Sequence, residues 1–474
     1  MFLRVKISKI RCLLVSETQA ETRQQLPPTK VLYPVNILID IITKIYKNKF
    51  VHNVAIVASG TAGAQAITMA FSPVITRLYG PEAFGLMGTF MAIVGIVTPI
   101  AALAYPIAIV LPKDDREARG IAHLSCYSAL GISCLVTLIL LICGDWLVKI
   151  LKVQEISSFI FLIPLAMLFA AFLQIMGQWL IRKKQFGITA RVAILQSFII
   201  NTTKTAAGFF NPVAASLIIL SVLASAIQAC MLAIGAKKVE GPCPTGKHRY
   251  SRKGLWALAK KYYDFPFYRA PQISINAFSQ SLPILMLAAF FGPASAGFYA
   301  LCTRLLGMPS QLIGKSVGDV FYPRITEAAH NGENIPFLIF KATLTLAAVG
   351  FVPFSFIIAF GPWLFGFVFG NEWVQAGEYA RWLSLMSFFN FINRPSVVSI
   401  PVLGIQKGLM IYELFSTGSK LLVLYVGIVW LKNDILAVSL FSFCGVIAYI
   451  FLISWTIFTS FSFMKENYDA EQAS

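Results

Sequence analysis

The sequence predicts an all-α membrane protein of about twelve transmembrane helices in two six-helix lobes, and three observations lead to this fold class. Of the 474 residues, 57% are hydrophobic and only 13% are charged, with a mean hydropathy of +0.73. Soluble proteins have roughly 25% charged residues, so the apolar exterior of this chain needs lipid to cover it. The second observation is a series of long apolar runs, and the third is a repeat of motifs between the two halves.

Twelve apolar runs are long enough to cross a bilayer, which takes roughly 20 residues for each helix. The spans are predicted at 54–76, 84–110, 121–143, 156–180, 191–210, 213–235, 270–291, 296–322, 336–360, 379–403, 408–431 and 435–461. The corresponding domains are a tail at 1–50, a first lobe at 51–236, a basic loop at 237–268, a second lobe at 269–462 and a tail at 463–474. For the first tail two interpretations stay open, an amphipathic helix at the membrane surface and a disordered extension.

The net charge of +18 is concentrated in the loops. With the amino terminus inside, 29 of the 39 Lys and Arg residues fall in the tails and inner loops, four in the outer loops and six within spans. The positive-inside rule therefore predicts an even number of spans with both termini in the cytoplasm. Nucleic-acid binding is not expected, because the sequence has neither a reading helix nor an aromatic and basic platform.

Two short motifs recur in chain order. Gly-Pro-x-x-x-Gly occurs at 80–85 and again at 292–297, and Gly-x-Trp-Leu occurs at 144–147 and at 361–364. Repeated halves with a binding site between them are typical of secondary transporters, and no enzyme mechanism requires them. The repeat therefore favours transport over catalysis.

Basic side chains within the spans are the main candidates for a binding site: Lys204, Arg304, Lys315, Arg381, Arg394 and Lys420. A charge near the bilayer centre costs about 3 kcal/mol on insertion scales, so such residues are expected to face a polar interior. By helical rise, Lys204, Arg394 and Lys420 lie at similar depth, and Arg304 lies closer to the outer end. Pro395 directly follows Arg394, so we expect a break in the helix there. Snorkelling or an ion pair is the other interpretation, and it is favoured for Lys315 and Arg381.

Acidic and amide side chains extend this set of candidates. Glu413 and Asp319 are candidates for coupling to an H+ or Na+ gradient. Asp319 also lies four residues from Lys315, at pairing distance, and Glu413 shares a helix face with Lys420. Gln272, Asn276 and Gln280 follow i, i+4, i+8 spacing, which puts three amides on one face. These amides either bind sugar hydroxyls along a path or bond neighbouring helices. Gln174 and Gln178 form a second, weaker pair.

Sequence motifs for catalysis or metal binding are missing. The segment GPCPTGKH at 241–248 resembles a phosphate-binding loop, but it has a histidine in place of the hydroxyl residue and no preceding strand. The eight cysteines are scattered without paired spacing, so we interpret them as small buried hydrophobic residues. We therefore expect no catalytic residue, metal or cofactor, and transport driven by an H+ or Na+ gradient or by the membrane potential.

Three segments carry a resemblance to a known family: FVHNVAIVASGTAGAQ at 50–65, SPVITRLYGPEAFGLMGTF at 72–90 and AIVLPKDDREA at 108–118. They resemble the opening of bacterial oligosaccharide flippases, the Wzx-type polysaccharide export proteins of the MATE-like MOP superfamily. The chain departs from the family pattern at Ala104-Tyr105-Pro106, where relatives often have a charged pair. This difference bears on sugar specificity and on ion coupling.

The resemblance implies a function. It implies alternating-access movement of undecaprenyl-pyrophosphate-linked oligosaccharide across the bacterial cytoplasmic (inner) membrane, for O-antigen, capsule or exopolysaccharide. Partners would be this lipid-linked oligosaccharide, membrane lipids and polysaccharide polymerase or assembly proteins, with the protein as a monomer and no nucleic acid. Lys204, Arg394 and Lys420 are the residues that we expect to hold the pyrophosphate, since cations bind phosphate oxygens. Arg304 is a further candidate for substrate binding or translocation.

Two other functions stay open. A MATE-like ion-coupled exporter of small molecules would favour acidic residues for organic cations, whereas the intramembrane charge here is basic. A membrane glycosyltransferase or polymerase would need a large outer loop with catalytic groups, and the predicted outer loops are short.

Overall fold

The computed structural model describes residues 49–151, 154–240 and 252–473, and throughout these ranges the structure is helical, with no strand. The tail at 1–50, apart from its last two residues, and the segment 241–248 lie outside the described residues. The first half of the described chain forms α1 (Lys49–Ala101), α2 (Tyr105–Ala108), α3 (Asp115–Leu151), α4 (Leu162–Arg182), α5 (Phe186–Phe210) and α6 (Ala214–Glu240).

The second half begins with a short helix in the basic loop, which a π-turn at Phe265–Arg269 connects to the first long helix. Its helices are α7 (Arg252–Lys261), α8 (Ala270–Phe291), α9 (Pro293–His330), α10 (Ile335–Phe369), α11 (Val374–Ile392), α12 (Arg394–Leu403), α13 (Gln406–Val429) and α14 (Asp434–Ala473). Short 3-10 turns occur at Gln154–Phe159 and Asn371–Trp373.

Eight of the described helices are long and apolar enough to cross a membrane. One of them, Ile56–Ala101, is kinked at Gly80 and so supplies two spans. The helices α5 and α9 and the pair α11–α12 complete the twelve, and these three segments carry intramembrane basic residues. The fold is therefore the expected all-α membrane fold, with α1–α6 as the first lobe and α8–α14 as the second.

The repeated Gly-Pro-x-x-x-Gly motifs have the same backbone conformation. Gly80 (φ 67°, ψ 172°) and Gly292 (φ 88°, ψ 176°) each join two helices in a conformation that residues with a side chain rarely adopt. The proline that follows each glycine begins the next helical segment, where its missing N–H costs nothing.

The same motifs bring the two lobes into contact. A Cβ atom on Gly85 would lie 1.7 Å from the carbonyl oxygen of Pro293, and one on Gly297 would lie 2.1 Å from the carbonyl oxygen of Pro81. The contact is reciprocal, as expected for two related halves around an approximate two-fold axis. Only glycine lets the backbones approach this closely.

Trp373 strengthens this end of the interface. Its indole is 1% exposed, donates to the carbonyl oxygen of Thr76 at 3.2 Å, and meets the rings of Phe84 and Phe298 edge to face. Edge-to-face pairs are the favoured aromatic geometry. The lobes are thus joined by backbone contact, a hydrogen bond and aromatic packing at one end.

Two of the predicted spans are interrupted by a break in the helix. The span predicted at 84–110 is wrong at its end, because the helix stops at Ala101 and Leu103 and Ala104 take left-handed conformations (φ 51° and 56°). Pro106 contributes to the break, because it has no N–H to donate to the Ala102 carbonyl oxygen, which accepts from Tyr105 at 3.0 Å instead. The break expected at Arg394-Pro395 is confirmed, because α11 ends at Ile392 and α12 begins at Arg394.

Candidate functional site

Lys204 lies in α5 and is positioned by the first lobe. Its Nζ donates to Ser221 Oγ on α6 at 2.9 Å, and its carbonyl oxygen accepts from the Tyr79 hydroxyl at 2.9 Å. Ser221 is buried. The backbone and the ammonium group of Lys204 are therefore both fixed by neighbouring helices.

Arg304 reaches the same place from the second lobe. Lys204 and Arg304 line one cavity of about 20 Å³, room for a single water, together with Thr68 and Asn201. The two cations interact electrostatically. Among the described residues, no carboxylate forms an ion pair with either of them. Two like charges from opposite lobes thus face each other without a described counter-ion.

A hydrogen-bonded network beside Lys204 was missed in the sequence analysis. Thr68 Oγ1 lies 2.9 Å from Ser197 Oγ, and the Asn201 amide donates to the Ser197 carbonyl oxygen at 2.7 Å and to Thr68 at 3.2 Å. Ser197 and Asn201 are both buried. In the sequence, the only indication of this network is the i, i+4 spacing of Ser197 and Asn201, with Lys204 three residues further along the same helix.

Arg394 and Lys420 come together at a different place, in the second lobe. Lys420 Nζ lies 5.7 Å from the ring centroid of Tyr449, and Tyr449 interacts electrostatically with Arg394. The Nε atom of Arg394 is buried and has no hydrogen-bond partner among the described residues. The structure therefore groups the four predicted cations as two pairs, Lys204 with Arg304 and Arg394 with Lys420.

Glu413 shares a face of α13 with Lys420, with which it interacts electrostatically. On the opposite face, Phe415 and Leu422 are 73% and 64% exposed, as expected for contact with lipid. Glu413 is exposed as well. Because an exposed carboxylate within a span needs polar surroundings, we expect Glu413 to face a polar space rather than lipid.

The three amides of α8 are all exposed and form a continuous stripe. Gln280 donates to Asn276 at 2.7 Å, and Gln272 accepts from Arg269 at 2.9 Å. The exposed apolar residues Ile275 and Phe278 lie on a different face of the same helix. Because exposed apolar and exposed polar faces need different surroundings, the amide face borders a polar space and the apolar face borders lipid.

The remaining charged candidates differ in their surroundings. Arg381 pairs with Glu378 at 3.2 Å and donates to the Ala359 carbonyl oxygen, so it is a paired cation as expected. Lys315 and Asp319 lie in α9, and their side chains are outside the described part of the structure.

The loop at 109–118 is held by ion pairs and hydrogen bonds to neighbouring helices. Asp115 forms ion pairs with Arg182 and Lys183, and the Arg182 guanidinium also donates to the Pro112 carbonyl oxygen. Glu117 accepts from Lys261 of α7, and this hydrogen bond raises the pKa of Lys261. The basic loop is thereby attached to the first lobe.

No group of three or more His, Cys, Asp or Glu side chains in the described residues is placed to hold a metal ion. The polar groups that the structure does bring together are cations, amides and hydroxyls. Such groups bind phosphates and sugar hydroxyls without forming covalent bonds.

A family model described as "Polysaccharide biosynthesis protein" matches residues 74–378, more than half of the chain. The chain belongs to this family. The match spans the Gly-Pro turns at 80 and 292 and includes Lys204 and Arg304. A sequence search of curated proteins returns no match.

Solved structures similar to this polysaccharide biosynthesis protein are transporters. A lipid II flippase, MurJ, in an inward closed conformation has a TM-score of 0.68 at 12% identity over 86% of this chain and 89% of its own. An inward-facing multidrug resistance MATE family transporter of the MOP superfamily has a TM-score of 0.65 at 14% identity over 85% and 96%. A MOP superfamily transporter from Pyrococcus furiosus has a TM-score of 0.55 at 14% identity. These likenesses establish the MOP transporter fold.

Proposed function

We propose that this protein moves a lipid-linked oligosaccharide with a pyrophosphate head group across the bacterial cytoplasmic membrane. The observation that carries the proposal is the meeting of Lys204 and Arg304, one from each lobe, in one cavity. The cavity as it stands holds a single water, so a diphosphate would enter when the lobes separate, and it would then neutralise the two like charges. Membership of a polysaccharide biosynthesis family supports this kind of cargo.

The second cation pair and the amide stripe fit the remainder of such a substrate. Arg394 and Lys420 form a second cationic position, available to the head group as it moves. The exposed amides at Gln272, Asn276 and Gln280 supply donors and acceptors for sugar hydroxyls. Glu413, which faces the interior beside Lys420, is our candidate for coupling to an H+ or Na+ gradient or to the membrane potential.

An exporter of organic cations fits the site less well. Unpaired positive charges between the lobes would repel such a cargo, because like charges in a low-dielectric interior interact strongly. Similarity to a multidrug transporter concerns the fold, which hosts several functions. The charge of the cavity therefore favours an anionic substrate.

The test is genetic and chemical. A deletion strain of the host is expected to accumulate lipid-linked repeat units and to lose surface polysaccharide, and the wild-type gene should restore both. Genes carrying Lys204→Ala or Arg304→Ala should fail to restore export although the protein is present in the membrane at wild-type levels. Arg394→Ala and Lys420→Ala are expected to reduce export as well.

A matched control is Arg381→Gln, which removes an intramembrane cation that already pairs with Glu378 and is partly exposed. Loss of this pair costs little, so export should continue. Normal polysaccharide in the deletion strain would refute the function. Normal export by both Lys204→Ala and Arg304→Ala would refute the site while leaving the function intact.

A further inference from the structure

A pocket in the first lobe lies close to Lys204. It has a volume of about 290 Å³ and is bordered by α1, α4 and α6. Ser221 lines this pocket and also accepts the hydrogen bond of Lys204 Nζ. A ligand in the pocket would therefore be separated from Lys204 by the Ser221 side chain alone.

The polar groups of this pocket are neutral. The hydroxyls of Thr98, Ser221 and Ser225 and the amide of Gln174 line it, with no charged residue in the lining. Among the described residues, the exposed Gln174 amide has no hydrogen-bond partner. Met91, Val94 and Val222 supply an apolar wall. Hydroxyl and amide groups opposite an apolar wall suit a sugar ring, which has polar edges and apolar faces.

The pocket opens towards the second lobe. Gly95 lies on its border, and a Cβ atom there would have Ser281 Oγ of α8 as its nearest neighbour, at 3.9 Å. Ser281 directly follows Gln280, the last amide of the stripe on α8. The pocket therefore borders α8, the helix that carries the amide stripe.

We propose that this pocket is a saccharide subsite, which receives the sugar ring nearest to the pyrophosphate while the cation pair holds the head group. The inference rests on the proposed function, because it assumes a glycan attached to a pyrophosphate. A volume near the lower limit of small-molecule pockets, roughly 300 Å³, admits one ring and leaves the following sugars to the amide stripe.

A lipid tail is the competing occupant, and the lining argues against it. Thr98 and Ser221 already donate to carbonyl oxygens of their own helices, but burying the Gln174 amide against hydrocarbon would leave it without a partner, which is unfavourable. A lipid tail can instead pack against the outer faces of the helices, which expose large apolar residues.

Gly95 offers a direct way to test the subsite. The nearest heavy atom to its Cβ position is Ser281 Oγ at 3.9 Å, so a Cβ atom meets no clash there, and the branches of Gly95→Leu should occupy the border of the pocket. Gln174→Ala removes the free amide. Gln178→Ala is the matched control, because it removes an amide one turn further along α4 that does not line the pocket.

The measurement compares two sets of probes on the purified full-length protein in nanodiscs. One probe is farnesyl pyrophosphate, and the others are farnesyl pyrophosphates linked to glucose, galactose or N-acetylglucosamine. The wild-type protein should bind at least one sugar-linked probe about tenfold more tightly than farnesyl pyrophosphate, as expected for one or two added hydrogen bonds. Gly95→Leu and Gln174→Ala should lose this preference and keep their affinity for farnesyl pyrophosphate, whereas Gln178→Ala should keep both.

The outcomes separate the subsite from the proposed function. Lys204→Ala should weaken the binding of all probes, and unchanged binding would count against the head-group site itself. If Lys204→Ala behaves as expected, then a preference retained by Gly95→Leu, or the absence of any preference in the wild-type protein, would overturn the saccharide subsite. Equal weakening of sugar-linked and sugar-free probes by Gly95→Leu would assign the pocket to the prenyl chain and would also overturn it.

Discussion

Gly85→Ala is expected to separate the two lobes at the Gly-Pro turns while leaving each lobe folded. The new Cβ atom would lie 1.7 Å from the Pro293 carbonyl oxygen, whereas close C···O contacts are about 3.3 Å long. Relieving this overlap needs a separation of about 1.6 Å at the crossing of α1 and α9. The neighbouring atoms are backbone, so no side chain can rotate away.

The expected magnitude follows from the cost of overpacking, which is typically 1–3 kcal/mol. This cost applies only to the arrangement in which the turns touch, because an arrangement with separated turns has room for the methyl group. The equilibrium between the two arrangements should therefore shift by about 5- to 150-fold. Gly297→Ala should act in the same direction, because its Cβ would lie 2.1 Å from the Pro81 carbonyl oxygen.

The assay is a distance measurement between spin labels at Glu82 and Lys432 in a cysteine-free protein in nanodiscs. Gly85→Ala should increase the population with the longer distance. Gly131→Ala and Gly144→Ala are matched controls on α3, because no heavy atom lies within 4 Å of either Cβ position. A distance distribution for Gly85→Ala identical to that of the wild-type protein, or an equal shift in the controls, would refute the reasoning.

Two further predictions concern the packing and the orientation of the chain. Asn201→Ala should lower the free energy of unfolding by about 1–3 kcal/mol, because it removes two hydrogen bonds of the buried amide, one to Thr68 Oγ1 and one to the Ser197 carbonyl oxygen. Thermal unfolding in detergent measures this, with the exposed Thr203→Ala as a control, and an equal effect of both variants would contradict it. Reporter fusions at Lys247 and at Ser474 should both indicate the cytoplasm, as the excess of basic residues predicts. A periplasmic signal at either position would contradict the two-lobe topology.

The sequence was sufficient to predict the membrane fold class, the repeated turns and the break before Pro395. Each of these depends on residues close together in the chain: about 20 apolar residues for a span, or a proline that disfavours helix in the residue before it. The end of the second span was predicted incorrectly. An apolar run continues from Ala101 to Leu111, and hydropathy alone does not reveal that the backbone turns within it.

The candidate site was predictable as a set of residue types, but not as an arrangement. Similar depth suggested that Lys204, Arg394 and Lys420 would act together, whereas the structure pairs Lys204 with Arg304 across the lobes. The sequence did not indicate that Asn201 and Ser221 belong to the site, because a single asparagine or serine in an apolar run forms no distinctive pattern. Only its contacts identify such a residue as part of a site.

The sequence by itself determined that this chain lies in a membrane, that its halves are related and that positive charge lies within the bilayer. These properties follow from the free energy of transferring residues from water to lipid, which sums along the chain. Only the tertiary structure decided which cations face each other, which glycines touch and which pocket adjoins Lys204. These depend on helix packing between residues far apart in sequence, where the close fit of two surfaces, and not their hydrophobicity, selects the arrangement.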